Sequence, residues 1–149
     1  MKFGGASVKD ADSVRNVSRI VGEFLPQNRL VIVISAMDKT TNHLEKLAWL
    51  ARDCREVDTW EQFGKIKAFH FGMIDTLFGM DRSEVRSQVE AYFTEIERIC
   101  RGILLLNEFP NRTYDRIVAF GELLSACILS HFLAQDGHKV ALTDARQII

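Results

Sequence analysis

Proline is nearly missing from this sequence. Pro26 and Pro110 are the only two in 149 residues, and both read as punctuation between elements rather than as a Pro-rich linker. Cysteine is scarce and odd in number. Cys54, Cys100 and Cys127 lie far apart in apolar or helical surroundings, which argues against a disulfide framework. Reduced, buried thiols are the expectation, and with them a cytoplasmic setting. No Cys/His spacing suits zinc, the four histidines are scattered, and no metal site is expected. Charge of either sign is not in excess. The net charge of −1 gives no electrostatic case for nucleic acid or an anionic membrane surface. No apolar run approaches the roughly 20 residues of a membrane span. Charges interrupt residues 1–20, which therefore do not read as a signal peptide. There is no internal repeat and no low-complexity segment, and the length suits one domain with a real core.

What is present is a succession of short β-type and longer helical patterns. Residues 1–3 read as the tail of a strand, followed by Gly4-Gly5. Val14, Val17, Ile20, Val21 and Phe24 recur at helical spacing, with Asp10 or Asp12 as cap and Leu25-Pro26 as stop. Leu30 to Ile34 is a continuous, mostly β-branched run, expected to be a strand buried on both faces. Thr40 or Thr41 is placed to cap the next helix, whose stripe is Leu44, Leu47, Ala48 and Ala51. Helical patterns over 59–78 and from Asp81 or Ser83 to about Leu106 follow with no strand between them, which predicts a helical hairpin. Gly64 and Gly72 weaken the first of these. A further helix spans about Thr113 to Gln135 and stops at Asp136-Gly137. Lys139 to Thr143 reads as a last strand, followed by Asp144-Ala145-Arg146 and the apolar Ile148-Ile149. The order predicts an α/β fold with a mostly parallel sheet and an added helical hairpin. Ligands of such sheets bind beyond the carboxyl ends of the strands. That puts Gly4-Gly5, Ser35 to Thr41, and Asp144 to Arg146 on one rim.

Three motifs on or near that rim carry chemistry. In Lys2-Phe3-Gly4-Gly5-Ala6-Ser7-Val8, paired glycines let backbone N–H groups approach a ligand. Lys2 adds a point charge suited to phosphate, and the helix beyond adds its N-terminus. A purely structural turn is the competing reading, and no GxGxxG dinucleotide pattern follows. Ser35-Ala36-Met37-Asp38-Lys39-Thr40-Thr41-Asn42 is a loop rich in small hydroxyl residues before a helix, suited to a carboxylate or phosphate. It is not a P-loop, because Asp38 and Val33 stand where that pattern needs glycine. Helix capping is its plain alternative. Glu122 sits in the apolar phrase Ala119-Phe120-Gly121-Glu122-Leu123-Leu124-Ser125, where a carboxylate must be exposed or paired. Gly121 weakens that helix, which suggests that something approaches closely beside Glu122. Trp49 and Trp60 read as packing residues.

Taken together, the three motifs resemble the N-terminal part of the aspartate kinases, whose domain has the amino-acid-kinase fold. Lys2 to Val8 matches that family's Lys-Phe-Gly-Gly-Thr-Ser-Val, with Ala6 for Thr. Ser35 to Asn42 matches its Ser-Ala-Met-Gly-Lys-Thr-Thr-Asn loop, with Asp38 for Gly. Gly121, Glu122, Ser125 and Asp144 to Arg146 match, in order, its Gly-Glu-x-x-Ser helix and the Asp-Ala-Arg after the next strand. The middle helices, residues 54–110, contribute only their helical character. The resemblance implies a partial three-layer sandwich, with residues 1–149 as the acceptor-binding portion of an incomplete domain. It implies transfer of phosphate from ATP, as its Mg2+ complex, to the side-chain carboxylate of L-aspartate. The product, 4-phospho-L-aspartate, leads to lysine, threonine and methionine. By the same resemblance Lys2 neutralises charge on the transferred phosphoryl group. Gly4, Gly5 and Ser7 belong to the ATP-phosphate turn. Ser35, Thr41 and Glu122 hold the aspartate, with Glu122 facing its ammonium group.

The family's Arg-Gly-Gly-Ser-Asp segment, which completes its nucleotide pocket, has no counterpart here, and neither do its regulatory domains. The expectation is therefore a fragment, inactive alone, whose open sheet edge favours self-association into a homo-oligomer. Two alternatives stay open: a non-catalytic amino-acid-binding module, and a kinase of another acidic amino acid such as glutamate or N-acetylglutamate.

Overall fold

The structure is a computed structural model and describes residues 1–147; Ile148 and Ile149 lie outside the described residues. It is α/β, with a small parallel sheet and five α-helices: β1 (Lys2–Phe3), α1 (Ala11–Phe24), β2 (Val33–Ile34), α2 (Thr40–Arg52), α3 (Glu56–Phe78), α4 (Ser83–Leu106) and α5 (Asn111–Gln135). Strands β1 and β2 pair in parallel, Lys2 opposite Val33 and Phe3 opposite Ile34. The N–H of Ser35 extends the ladder by donating to the Phe3 carbonyl at 3.0 Å.

Helices α2, α4 and α5 form the centre of the core; α3 packs on α2 and makes the expected hairpin with α4. Asp10 caps α1 by accepting from the N–H of Ser13 at 2.8 Å. Helix α3 runs unbroken through Gly64 and Gly72, because burial of Ile66, Met73, Ile74 and Leu77 outweighs the cost of two helical glycines, roughly 1 kcal/mol each. Asn107 ends α4 in the left-handed conformation. Gly137, with a φ of 88°, closes α5 as the N–H of His138 donates to the Leu133 carbonyl at 3.1 Å. Against expectation, helix α5 is long and apolar enough to cross a bilayer by length and composition. Here 56% of its most apolar window is buried inside the protein, as in a core helix.

Several expectations change in detail. Leu30 to Ile34 is not buried on both faces: Leu30, Ile32 and Ile34 pack against the core, while Val31 and Val33 are 77% and 55% exposed. Helices cover one face of this strand pair, and the β ladder reaches only as far as its partner, Met1 to Phe3, can bond it. Lys139 to Thr143 forms no strand, since among the described residues it has no partner strand and its side chains are exposed. Neither Thr40 nor Thr41 caps α2. Lys39 occupies the cap position without a side-chain bond, and Thr40 is instead buried. Helix α4 begins at Ser83, one of its two expected starts, with Arg82 before it and no side-chain cap bond. Cys100 and Cys127 are buried free thiols, but Cys54 is exposed, in the tight left-handed turn between α2 and α3.

Two glycines set the spacing between the layers. A Cβ on Gly121 of α5 would lie 2.9 Å from the Cβ of Ala36, and one on Gly5 would lie 2.7 Å from the Ala36 carbonyl oxygen. Neither obstacle is a flexible side-chain tip. Gly4 has open space around it.

His70 is the core's one fully buried histidine. Its Nδ1–H donates to the Ile66 carbonyl at 2.8 Å, and its Nε2 has no partner among the described residues. Burial lowers its pKa from 6.5 to about 4.

Two predictions follow from this packing. Gly5→Ala and Gly121→Ala each destabilise the protein by about 1–3 kcal/mol through overpacking, while Gly4→Ala changes stability by less than about 0.5 kcal/mol; urea unfolding separates the three. Between pH 6.5 and 4 the unfolded chain protonates His70 and the folded protein resists it, so stability falls with pH across that window. The loss totals about 3 kcal/mol. His70→Leu removes this part of the pH dependence, which urea midpoints at pH 7 and pH 4.5 measure.

Candidate acceptor and phosphate site

The loop from Ser35 to Lys39 is where the three motifs meet. Ala36 and Met37 are buried, which anchors the loop by its apolar middle and leaves its polar residues at the rim. On one side Gly5 presses against the Ala36 and Asp38 carbonyls. On the other, Gly121 presses against Ala36, with Leu44 and Thr40 of α2 just beyond. The close approach expected beside Glu122 is therefore this loop. Asp38 turns the chain with a φ of 44°, a left-handed conformation that favours glycine and is tolerated by aspartate.

Lys2 is exposed on β1, and its strand ends at Gly4, which is exposed and open. Ser7 is exposed in a single 3-10 turn, Gly5–Val8, closed by its own N–H to the Gly4 carbonyl at 2.9 Å. The α-helix does not start immediately after the glycines, and its N-terminus is not an open anion site. Asp10 already accepts there, and the bond from Ser13 holds its carboxyl below the usual range. The open helix end is that of α2. With no side-chain cap, the N–H groups of Thr41 and Asn42 have no partner among the described residues.

Ser35 and Thr41 are half-buried at the two ends of the loop. Glu122 is half-buried on α5, one residue beyond Gly121, and forms no ion pair among the described residues. Hence Gly5, the Ser35–Thr41 loop and the Gly121–Glu122 turn of α5 come together. Asp144 and Arg146 pair with one another at 2.6 Å. That bond lowers the Asp144 pKa and raises that of Arg146. Both charges act on Tyr92 of α4, whose hydroxyl is pushed up chiefly by burial. Among the described residues no three His, Cys, Asp or Glu side chains are grouped to hold a metal ion.

One group was not singled out from the sequence. Gln62 of α3 is buried and donates through its side-chain amide to both the ring Nδ1 and the backbone carbonyl of His43, at 3.0 and 3.2 Å. This ties α3 to the first turn of α2. The signal lay in the spacing of Thr59, Gln62, Ile66 and His70, which puts polar residues on the buried stripe of α3.

A model of the amino acid kinase family matches residues 1–149. The chain is 35% identical over 150 residues to the chloroplastic aspartokinase 2 of Arabidopsis thaliana, covering 99% of this chain and 26% of that protein. It is 26% identical over 146 residues to the bifunctional aspartokinase/homoserine dehydrogenase of Buchnera aphidicola, covering 95% of this chain and 18% of that protein. Among solved structures it is similar to E. coli aspartokinase III in complex with aspartate and ADP, with a TM-score of 0.75 and 26% identity over 91% of this chain and 28% of that one. The same enzyme in complex with lysine and aspartate gives a TM-score of 0.77 and 25% identity, over 93% and 29% of the two chains. The chain spans about a quarter of the length of the Arabidopsis aspartokinases it matches. The match runs from one end of the sequence to the other and takes in the small parallel sheet, the helices and the three motifs that meet at Ala36: this chain belongs to the amino acid kinase family.

Proposed function

We propose that this chain is the acceptor-binding part of an aspartate kinase, which phosphorylates the side-chain carboxylate of L-aspartate from ATP. The observation that carries the reading is the meeting of Gly5, Ala36 and Gly121, which gathers all three chemistry-bearing motifs around one loop. The similarity to aspartokinases along the whole chain, and to a structure holding aspartate and ADP, supports it.

In this reading a carboxylate oxygen of aspartate attacks the γ-phosphorus of ATP. The bond to the bridging oxygen breaks, ADP leaves, and a mixed carboxylic–phosphoric anhydride forms. Such a transfer needs alignment and charge stabilisation rather than covalent help. Ser35 and Thr41 donate hydroxyl hydrogen bonds to the acceptor, and the open N–H groups at the start of α2 favour its negative charge. Glu122 takes the ammonium group. Lys2 neutralises charge on the phosphoryl group in flight, and the bare backbone at Gly4, beside Gly5 and Ser7, lets the phosphates approach. Mg2+ enters as part of the MgATP substrate. The product feeds lysine, threonine and methionine synthesis. The reduced thiols fit a cytoplasmic protein, and the exposed Val31 and Val33 face fits assembly into a homo-oligomer.

Calorimetry on the chain with L-aspartate tests the acceptor site. The expected result is saturable binding, tighter than for L-glutamate, and weakened at least roughly tenfold by Glu122→Ala through loss of a charge-assisted bond. Absence of heat at millimolar aspartate, or an unchanged affinity in Glu122→Ala, overturns the assignment.

A further inference from the structure

Behind the acceptor loop, on its α3 side, lies a second cleft. It offers about 90 Å³ of water-accessible space between the first turn of α2 and the middle of α3. On the same measure one water needs roughly 10–15 Å³, so there is room for a solute of several heavy atoms. Neither Ser35, Thr41 nor Glu122 lines it.

The lining has three chemistries. Ile66 and Phe69 supply apolar surface. Lys39 and His43 supply donors. The Gln62 amide fixes the His43 tautomer, because the same NH2 group that meets the ring also meets the His43 backbone carbonyl, which only accepts. The ring Nδ1 must then be the acceptor, and the proton sits on Nε2. Asp38 supplies a carboxylate. Lys65, also in the lining, is already engaged by Glu61 at 2.6 Å. Asp38 and Lys39 are adjacent and opposite in charge, yet among the described residues neither forms an ion pair with the other or with any other group.

We propose that this cleft binds a free α-amino acid with a short apolar side chain. Lys39 and the Nε2–H of His43 hold its carboxylate, Asp38 its ammonium group, and Ile66 with Phe69 its side chain. A plain carboxylic acid shares the first contact and the last but not the second, and the unpaired Asp38 favours the zwitterion. The occupant touches Asp38 and Lys39, within the loop that carries Ser35, and Gly5 is not part of the lining.

The test is a 1H–15N NMR titration of the chain with L-valine, alongside isobutyrate, which lacks only the amino group. L-valine is expected to give saturable shifts at Asp38, Lys39, His43 and residues 65–69, and to bind roughly tenfold more tightly than isobutyrate, the worth of one charge-assisted bond. Asp38→Asn, which keeps the left-handed turn, should abolish that preference, and Lys39→Met should weaken both ligands by a similar factor. Shifts that do not saturate, shifts centred instead on Ser35 and Glu122, equal affinity for the two ligands, or unchanged binding in both variants would each overturn the proposal.

Discussion

The structure turns on a place where two side chains are missing. Gly5 and Gly121 come from elements far apart in the chain, and both abut Ala36 at distances no Cβ accepts. A loop held from two sides by backbone and by a single methyl has little freedom to shift. Its apolar middle, Ala36 and Met37, is sealed into the core, so its polar ends must stay at the surface. Ser35 is held at the rim by that sealing and by its backbone bond to Phe3, and among the described residues neither its hydroxyl nor that of Thr41 is spent on a hydrogen bond. Precision of this kind is what a site built on charge positioning requires, and it costs no polar partner that a ligand would later have to displace.

The helices provide the stiffness behind the loop. Phe93 and Phe120 are fully buried, and Phe63, His70 and Phe71 crowd around Phe93 with ring centroids 5.7–6.0 Å apart. Such clusters are worth more than their area alone. Trp49 stacks with Phe109 and Tyr114 at the far end of α2, where Tyr114 also bonds Glu45. Helix α2 is thus pinned at both ends, by this aromatic corner and by Gln62 near its start. The twelve ion pairs among the described residues contribute little by comparison, since they lie on exposed or half-exposed side chains and many are helical neighbours.

What could be read from the sequence follows from the range of each signal. Helix periodicity is local, and all five helices were legible within a few residues. Gly121 was legible because a glycine in a core helix is a local cost that needs a nearby cause, and Ala36 is that cause. Strand signals were less reliable because a strand exists only through its partner. The run at 139–143 has the right composition and no neighbour to bond, while Leu30 to Ile34 has a neighbour but only one covered face. Capping failed for a related reason. Thr40 has the chemistry of a cap, but the contact with Gly121 draws it inward as a packed residue. The cleft behind the loop was not legible, because it joins residues from two helices whose relative placement no spacing rule gives.

Asp38 joins the backbone path of the loop to its altered chemistry. The aspartate-kinase pattern that this loop resembles has glycine here, and the observed φ of 44° shows what a glycine would be needed for. Aspartate is among the few residues that enter this conformation at modest cost, because its short side chain tolerates the left-handed turn. The exchange therefore preserves the path of the chain past Gly5, and with it the positions of Ser35 and Thr41. What it adds is a carboxylate, and that carboxylate lines the α3-side cleft beside Lys39. A substitution chosen only to satisfy the backbone would do equally well as asparagine. The charge goes beyond what the turn demands, and the cleft it lines is where its consequence is to be sought.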